Sequence, residues 1–182
     1  MTEAMSASSA PLDLLVDELR RAWAYTDSLW LDLDESQVRW RPTEHSSAIG
    51  WHLGHQAAVA HFMVRNLLAA EPSPDPELDS LMDSATPEPA RGGLPDRERL
   101  GRYRAAVADR VIVRIDAIRL GEVGAPAQLS VVAGGLVRAL VNHEYQHDQW
   151  IAEVRSGDLG ATAPPVPTSP SLTTIDGYTV LR

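Results

Sequence analysis

Four stretches of this chain repeat their apolar residues at intervals of three and four, and the segments between them are rich in proline, glycine and acidic residues. The first runs from Pro11 to about Trp30, with Leu12, Leu15, Val16, Leu19, Trp23 and Leu29 in phase and Pro11 suited to an opening turn. The second covers Ser47 to about Ala70, with Ser46 or Ser47 as N-cap and Trp51, His55, Val59 and Phe62 near one face. The third, Asp96 to about Leu120, keeps Leu100, Tyr103, Val107, Val111, Ile115 and Ile118 in phase and ends at Gly121, Gly124 and Pro126. The fourth runs from about Ser130, its expected N-cap, to Arg155, with Leu136, Leu140, His143, His147, Ile151 and Val154 on one stripe before Gly157 and Gly160. This pattern predicts an all-α four-helix bundle, with a helical core over about residues 11–156 in one domain spanning 1–182.

The connections carry their own signals. Leu31 to Ser47 mixes acidic and hydroxyl residues with Trp40-Arg41-Pro42, which suggests a link with one short turn. Residues 71–95 hold six prolines, Pro72, Pro74, Pro76, Pro87, Pro89 and Pro95, and read as a long crossover with a short helix around Glu77 to Met82. The tail, 157–182, is expected to be irregular, with Tyr178-Thr179-Val180-Leu181 extended and packed on the bundle or a neighbour. No internal repeat and no strand-rich region is evident.

At 182 residues the chain is long enough to bury a core without covalent staples. The absence of cysteine excludes disulfides, thiolate zinc sites, iron–sulfur clusters and a cysteine nucleophile, so a metal must rest on His, Asp or Glu. A net charge of −9 with no dense basic cluster disfavours nucleic acid and anionic membranes as partners. No run of 18 apolar residues occurs, and Met1 to Ala10 lacks the basic and apolar regions of a leader, so a cytoplasmic protein is expected. All 16 basic residues are arginine, which reads as the compositional pressure of a GC-rich bacterial genome.

Six histidines then narrow the chemistry. His143 and His147, four apart on a helix, project from one face on successive turns and can share one ion. A third ligand has to come from another element, and the second helix supplies His52, His55 and His61. His61 lies six positions beyond His55, roughly 240° around the helix at ~100° per residue, and is expected to face solvent or a partner. His52 is close to the face of His55 and competes with it, although His55 shares its face with Trp51, Val59 and Phe62. His55 and His147 each stand about eight residues, roughly 12 Å, from the start of the second helix and the end of the fourth. Antiparallel packing of those helices would bring the imidazoles to one level. Three neutral ligands leave an open coordination position, as in catalytic rather than structural sites.

Two motif readings compete. His143-Glu144-Tyr145-Gln146-His147 matches the H-E-x-x-H of zinc peptidases, with Glu144 as general base, but Trp150 and Glu153 stand where the metzincin extension needs glycine and histidine. Glu144-Tyr145-Gln146-His147 also matches the Glu-x-x-His of di-iron bundles, yet no second copy occurs, and one metal is favoured. Glu144 is expected to orient a ligand imidazole or accept a proton, with a solvated helix glutamate as the plain alternative. Arg104 and Arg138 are indistinguishable from surface arginines.

Trp40-Arg41-Pro42, Ile49-Gly50-Trp51-His52-Leu53-Gly54-His55 and Asn142-His143-Glu144-Tyr145-Gln146-His147 together resemble the signature segments of the DinB-like superfamily, over about residues 11–156. The resemblance implies an up-down-down-up bundle, often homodimeric, with a triad at His55, His143 and His147 that binds one divalent ion: zinc, nickel or iron(II). It further implies transferases and isomerases that use a small thiol such as mycothiol or bacillithiol. The Trp-His-Leu-Gly-His wording is also similar to the N-terminal domain of ergothioneine-type sulfoxide synthases, where iron(II) activates oxygen.

The leading expectation is a metal-dependent thiol S-transferase that joins a small-molecule thiol to an electrophilic substrate, with no nucleic acid or membrane as partner. A metal-water hydrolase or isomerase, an iron(II) oxygenase and a non-catalytic metal-binding stress protein remain as other expectations.

Overall fold

The computed structural model describes residues 11–68 and 70–182; the reading of Met1 to Ala10 as lacking a leader lies outside them. The long helices are α1 (Leu12–Trp30), α3 (Ile49–Val64), α5 (Arg97–Arg119) and α6 (Pro126–Gly157), with short α2 (Glu35–Val38) and α4 (Pro76–Leu81) in the connections. A 3₁₀ turn spans Glu88–Gly92, and a hairpin of β1 (Leu172–Ile175) and β2 (Tyr178–Leu181) closes the chain.

The helices form where periodicity and caps agree. Leu15, Val16, Leu19, Ala22, Leu29 and Trp30 turn one face of α1 into the core. Asp34 and Gln37 make a reciprocal capping box that holds even the four residues of α2. The Asp75 and Asp96 carboxylates accept the backbone N–H groups of Leu78 and Arg99, starting α4 and α5.

Three expected boundaries are corrected. α6 opens at Pro126, not Ser130: Ala125 takes left-handed dihedrals (φ 52°) and Pro126 needs no N–H in a first turn. α3 opens after Ala48, because Ser47 is buried and its hydroxyl accepts from Arg91 instead of capping the helix. α3 also stops at Val64 rather than near Ala70, just before Asn66, a residue whose side chain competes for backbone hydrogen bonds.

The direction of each helix follows from its side-chain partners. Arg97 donates to the Leu31 carbonyl and Arg119 pairs with Asp13, so α5 runs antiparallel to α1. His52 meets His147 and Gln56 meets Glu144, so α3 runs antiparallel to α6. Arg104 reaches the Leu53 carbonyl near the start of α3, and Arg114 pairs with Glu71 just past its end, so α3 and α5 run together. This is the order of an up-down-down-up bundle, and one apolar core runs through all four long helices.

The tail is more ordered than expected. Asp176 (φ 52°) and Gly177 (φ 88°) make the two-residue turn of an antiparallel hairpin that pairs Ile175 with Tyr178 and Leu172 with Leu181. The hairpin docks on α6: Leu181 is buried, its N–H donates to Asn142 at 2.7 Å, and Arg138 donates to its carbonyl at 3.2 Å. Arg138 therefore acts as a tail anchor, not as a free surface charge.

Candidate metal centre

α3 and α6 cross with His55, His143 and His147 between them. One nitrogen from each ring lies within 4.8 Å of the others. The ring centroids are 5.2 Å apart for His55 and His143, 5.1 Å for His55 and His147, and 4.5 Å for His143 and His147. His143 Nε2 and His147 Nε2 are 3.1 Å apart. Tetrahedral coordination at the usual Zn–N length puts ligand nitrogens about 3.3 Å apart, so a shared cation fits this donor set.

Two of the three rings, His55 and His147, are held from behind. His55 Nδ1 donates to the Met82 carbonyl at 2.7 Å, which leaves Nε2 with its lone pair, and the ring stacks on Trp51 at 4.6 Å. Trp51 is itself pinned by its Nε1–H on the Leu81 carbonyl and by the Arg91 guanidinium 4.2 Å over its face. His52 does not join the triad. Its Nδ1 lies 2.7 Å from Nδ1 of His147, and its ring stacks on Trp150 at 4.0 Å. His143 Nδ1 is buried with no hydrogen-bond partner.

Burial keeps these rings neutral, the form a ligand needs. It pushes His143 down to about 4, with His55 adding to the effect, and His147 down to about 2, with His143, His52 and His55 adding. His52 falls to about 3 for the same first reason, and His55 is lowered against the opposing pull of the Met82 carbonyl.

Glu144 turns away from the imidazoles. It is 2% exposed, which corrects the solvated-glutamate reading, and its carboxylate sits 3.0 Å from Thr26 Oγ1 on α1 and 3.9 Å from Arg104. Thr26 Oγ1 is also 3.0 Å from the carboxylate of Asp148, whose other oxygen accepts from Gln56 at 3.0 Å. One hydroxyl proton cannot serve two carboxylates, so one of the pair must itself donate. Burial raises both, so each carboxyl keeps its proton more readily than an exposed one would, against the opposing pull of the Arg104 guanidinium. Arg104, read from sequence as a surface residue, has a side chain only 9% exposed and donates to the Leu53 carbonyl and to Gln56.

The most buried stripe of α6 thus passes through Val137, Leu140, Val141, Glu144, Asp148 and Ile151, with His143 and His147 on its flank. His61 is corrected too: it is 3% exposed, with Nε2 4.0 Å from Asp79, because α4 and the 71–95 crossover cover a second face of α3. Phe62, expected inward, is 65% exposed. The only sequence signal for burial of His61 was a helix nearby that could cover it. A cavity of about 460 Å³ opens between α3 and α4, and His55, His61, Phe62, Arg65, Asp79 and Met82 help to line it.

An all-α bundle with a three-histidine group that could hold a metal ion is the class these observations define. The family model described as the DinB superfamily matches residues 18–151. The chain belongs to that superfamily. No curated protein matches it significantly. Among the described residues, no helix is long and apolar enough to cross a membrane.

Proposed function

We propose that this protein is a metal-dependent thiol S-transferase, with His55, His143 and His147 holding one divalent ion, zinc by preference. The observation that carries the reading is the neutral setting of the triad: His55 leans on a carbonyl and His147 on an imidazole, and no carboxylate hydrogen-bonds to any of the three rings among the described residues. Bound there, the ion would keep its full charge and supply a Lewis-acidic position at which a small thiol is held deprotonated.

The chain's own residues have separate tasks in this scheme. Met82 and Trp51 fix the His55 ring, and the buried Gln56–Asp148 contact keeps α3 and α6 in register. Phe62 and Arg65, whose guanidinium lies 5.0 Å from the Phe62 ring, form a wall of the cavity beside His55 and would receive the electrophilic substrate there.

The test is consumption of a small thiol, mycothiol first and cysteine as a simpler analogue, against a fluorogenic alkylating electrophile. Turnover should require zinc, stop with chelator and stop in His143→Ala. Turnover without any thiol would favour a hydrolase or isomerase, and turnover that needs iron(II) and oxygen would favour an oxygenase. Either result would overturn the transferase reading.

A further inference from the structure

The structure assigns a role to His52: it is a positioning residue that sets the tautomer and orientation of His147. The inference rests on the reading of His55, His143 and His147 as a metal centre, and it concerns a residue outside that set.

Two imidazole nitrogens 2.7 Å apart need one proton between them. If His52 Nδ1 carries it, His147 must accept at Nδ1. A neutral His147 then bears its proton on Nε2, the nitrogen 3.1 Å from His143 Nε2, and cannot ligate. If His147 Nδ1 carries the proton, it donates to His52 and leaves its Nε2 lone pair facing the other rings. Only the second arrangement is compatible with an ion at the triad. His52 is thus the acceptor that a metal-bound His147 requires, the place a carboxylate or carbonyl takes at most histidine ligands.

His52 is built to hold this position. Its ring is stacked on Trp150 at 4.0 Å with the planes 27° apart, and the edge of Trp51 meets it at 5.5 Å. Trp150 stands three residues after His147 on α6, and Trp51 packs flat on His55. The same two indoles therefore brace His52 and the centre together. An imidazole acceptor also differs chemically from a carboxylate: it orients His147 without adding negative charge, so a bound cation remains receptive to an anionic ligand.

The experiment measures zinc affinity by chelator competition, and the visible spectrum of the cobalt(II) form, for the full chain and for His52→Ala, His52→Asn and His52→Asp. His52→Ala should weaken zinc binding about 10–100-fold and change the cobalt spectrum. Asn places its amide oxygen close to the position of Nδ1, so His52→Asn should recover most of the affinity. His52→Asp should bind zinc well but lower the affinity of the cobalt form for thiocyanate, used as the anionic probe. Wild-type affinity and spectrum in His52→Ala would overturn the inference, as would His52→Asn behaving like His52→Ala while both keep the wild-type unfolding temperature. Should His52→Ala fail to fold, His52→Asn and nitrogen NMR of His147 in the zinc-loaded wild type decide: a proton on Nε2 would overturn it. Failure of the wild type to bind any metal would instead remove the metal-centre reading on which it rests.

Discussion

Gln56 donates its side-chain amide to the Asp148 carboxylate at 3.0 Å, and each residue stands one position beyond a histidine of the triad, His55 on α3 and His147 on α6. The same amide lies 3.2 Å from the Glu144 carbonyl, and both Gln56 and Asp148 are fully buried. The register of the two helices at the triad is therefore set by a polar contact in the core, beneath the imidazoles.

Removing that contact should cost both stability and geometry. Gln56→Ala leaves one oxygen of a buried carboxyl without its amide donor, and should lower stability by about 1–3 kcal/mol. That corresponds to about 2–4 °C in unfolding temperature per kcal/mol for a chain of this size. Thermal unfolding and zinc titration on one preparation check it; an unchanged unfolding temperature would show that the amide does not hold the register.

Glu144 should prove structural. Glu144→Gln keeps the shape and leaves Asp148 to ionise beside Arg104, so zinc affinity should stay within about twofold of wild type and stability within about 1 kcal/mol. Glu144→Ala should destabilise by about 1–3 kcal/mol by emptying a buried polar site. A tenfold loss of zinc affinity in Glu144→Gln would mean that the carboxylate acts on the triad after all.

Gly54 matters through Met82. A Cβ on Gly54 would lie 2.5–2.8 Å from three side-chain atoms of Met82, which is itself fully buried and whose carbonyl accepts from His55. Gly54→Ala should destabilise by about 1–3 kcal/mol through overpacking. It should weaken zinc binding in parallel, whereas Gly54→Ala combined with Met82→Ala should recover part of the stability.

A bound ion should stabilise the fold by mass action. Zinc at about 100 times its Kd adds about 2.7 kcal/mol, so the unfolding temperature should rise by about 5–10 °C. Scanning calorimetry with and without zinc measures this, and in His147→Ala the rise should vanish.

Without metal, stability should fall as the solution is acidified below about pH 6.5. His52, His143 and His147 have folded values depressed to about 3, 4 and 2, so their contribution is present above the unfolded value near 6.5 and is lost as pH falls through the folded values. Glu144 and Asp148 are raised and work in the opposite direction, their contribution being fullest in acid and lost as pH rises. With His55 and His61 also lowered by burial, the lowered histidines outnumber the two raised carboxyls, and the net is a loss toward acid. Urea midpoints between pH 7.5 and 4.5 should therefore decline, and a flat profile would show that the carboxyl pair balances the rings.

Much of the fold was legible because its signals are local. The apolar phase of Leu15, Leu19 and Leu29, or of Leu100, Val107 and Val111, is a property of each segment alone, and these residues are buried as that phase requires. The hairpin is equally written in the chain, in Asp176-Gly177 between Thr173-Thr174-Ile175 and Tyr178-Thr179-Val180, although the prolines just before it point to irregular structure. α6 starts ahead of Ser130, a residue suited to capping, because Pro126 begins a helix without a side-chain cap.

By itself the sequence determined the helices, the absence of thiolate ligands, and two histidines held one turn apart on a single face. Only the tertiary structure decided which histidine of α3 joins them, that His52 stands behind His147, that His61 is covered by α4, and that Glu144 faces Thr26 and Arg104. Helical spacing specifies the angle between side chains on one element but not what each angle meets, and that is settled by the elements packed around it.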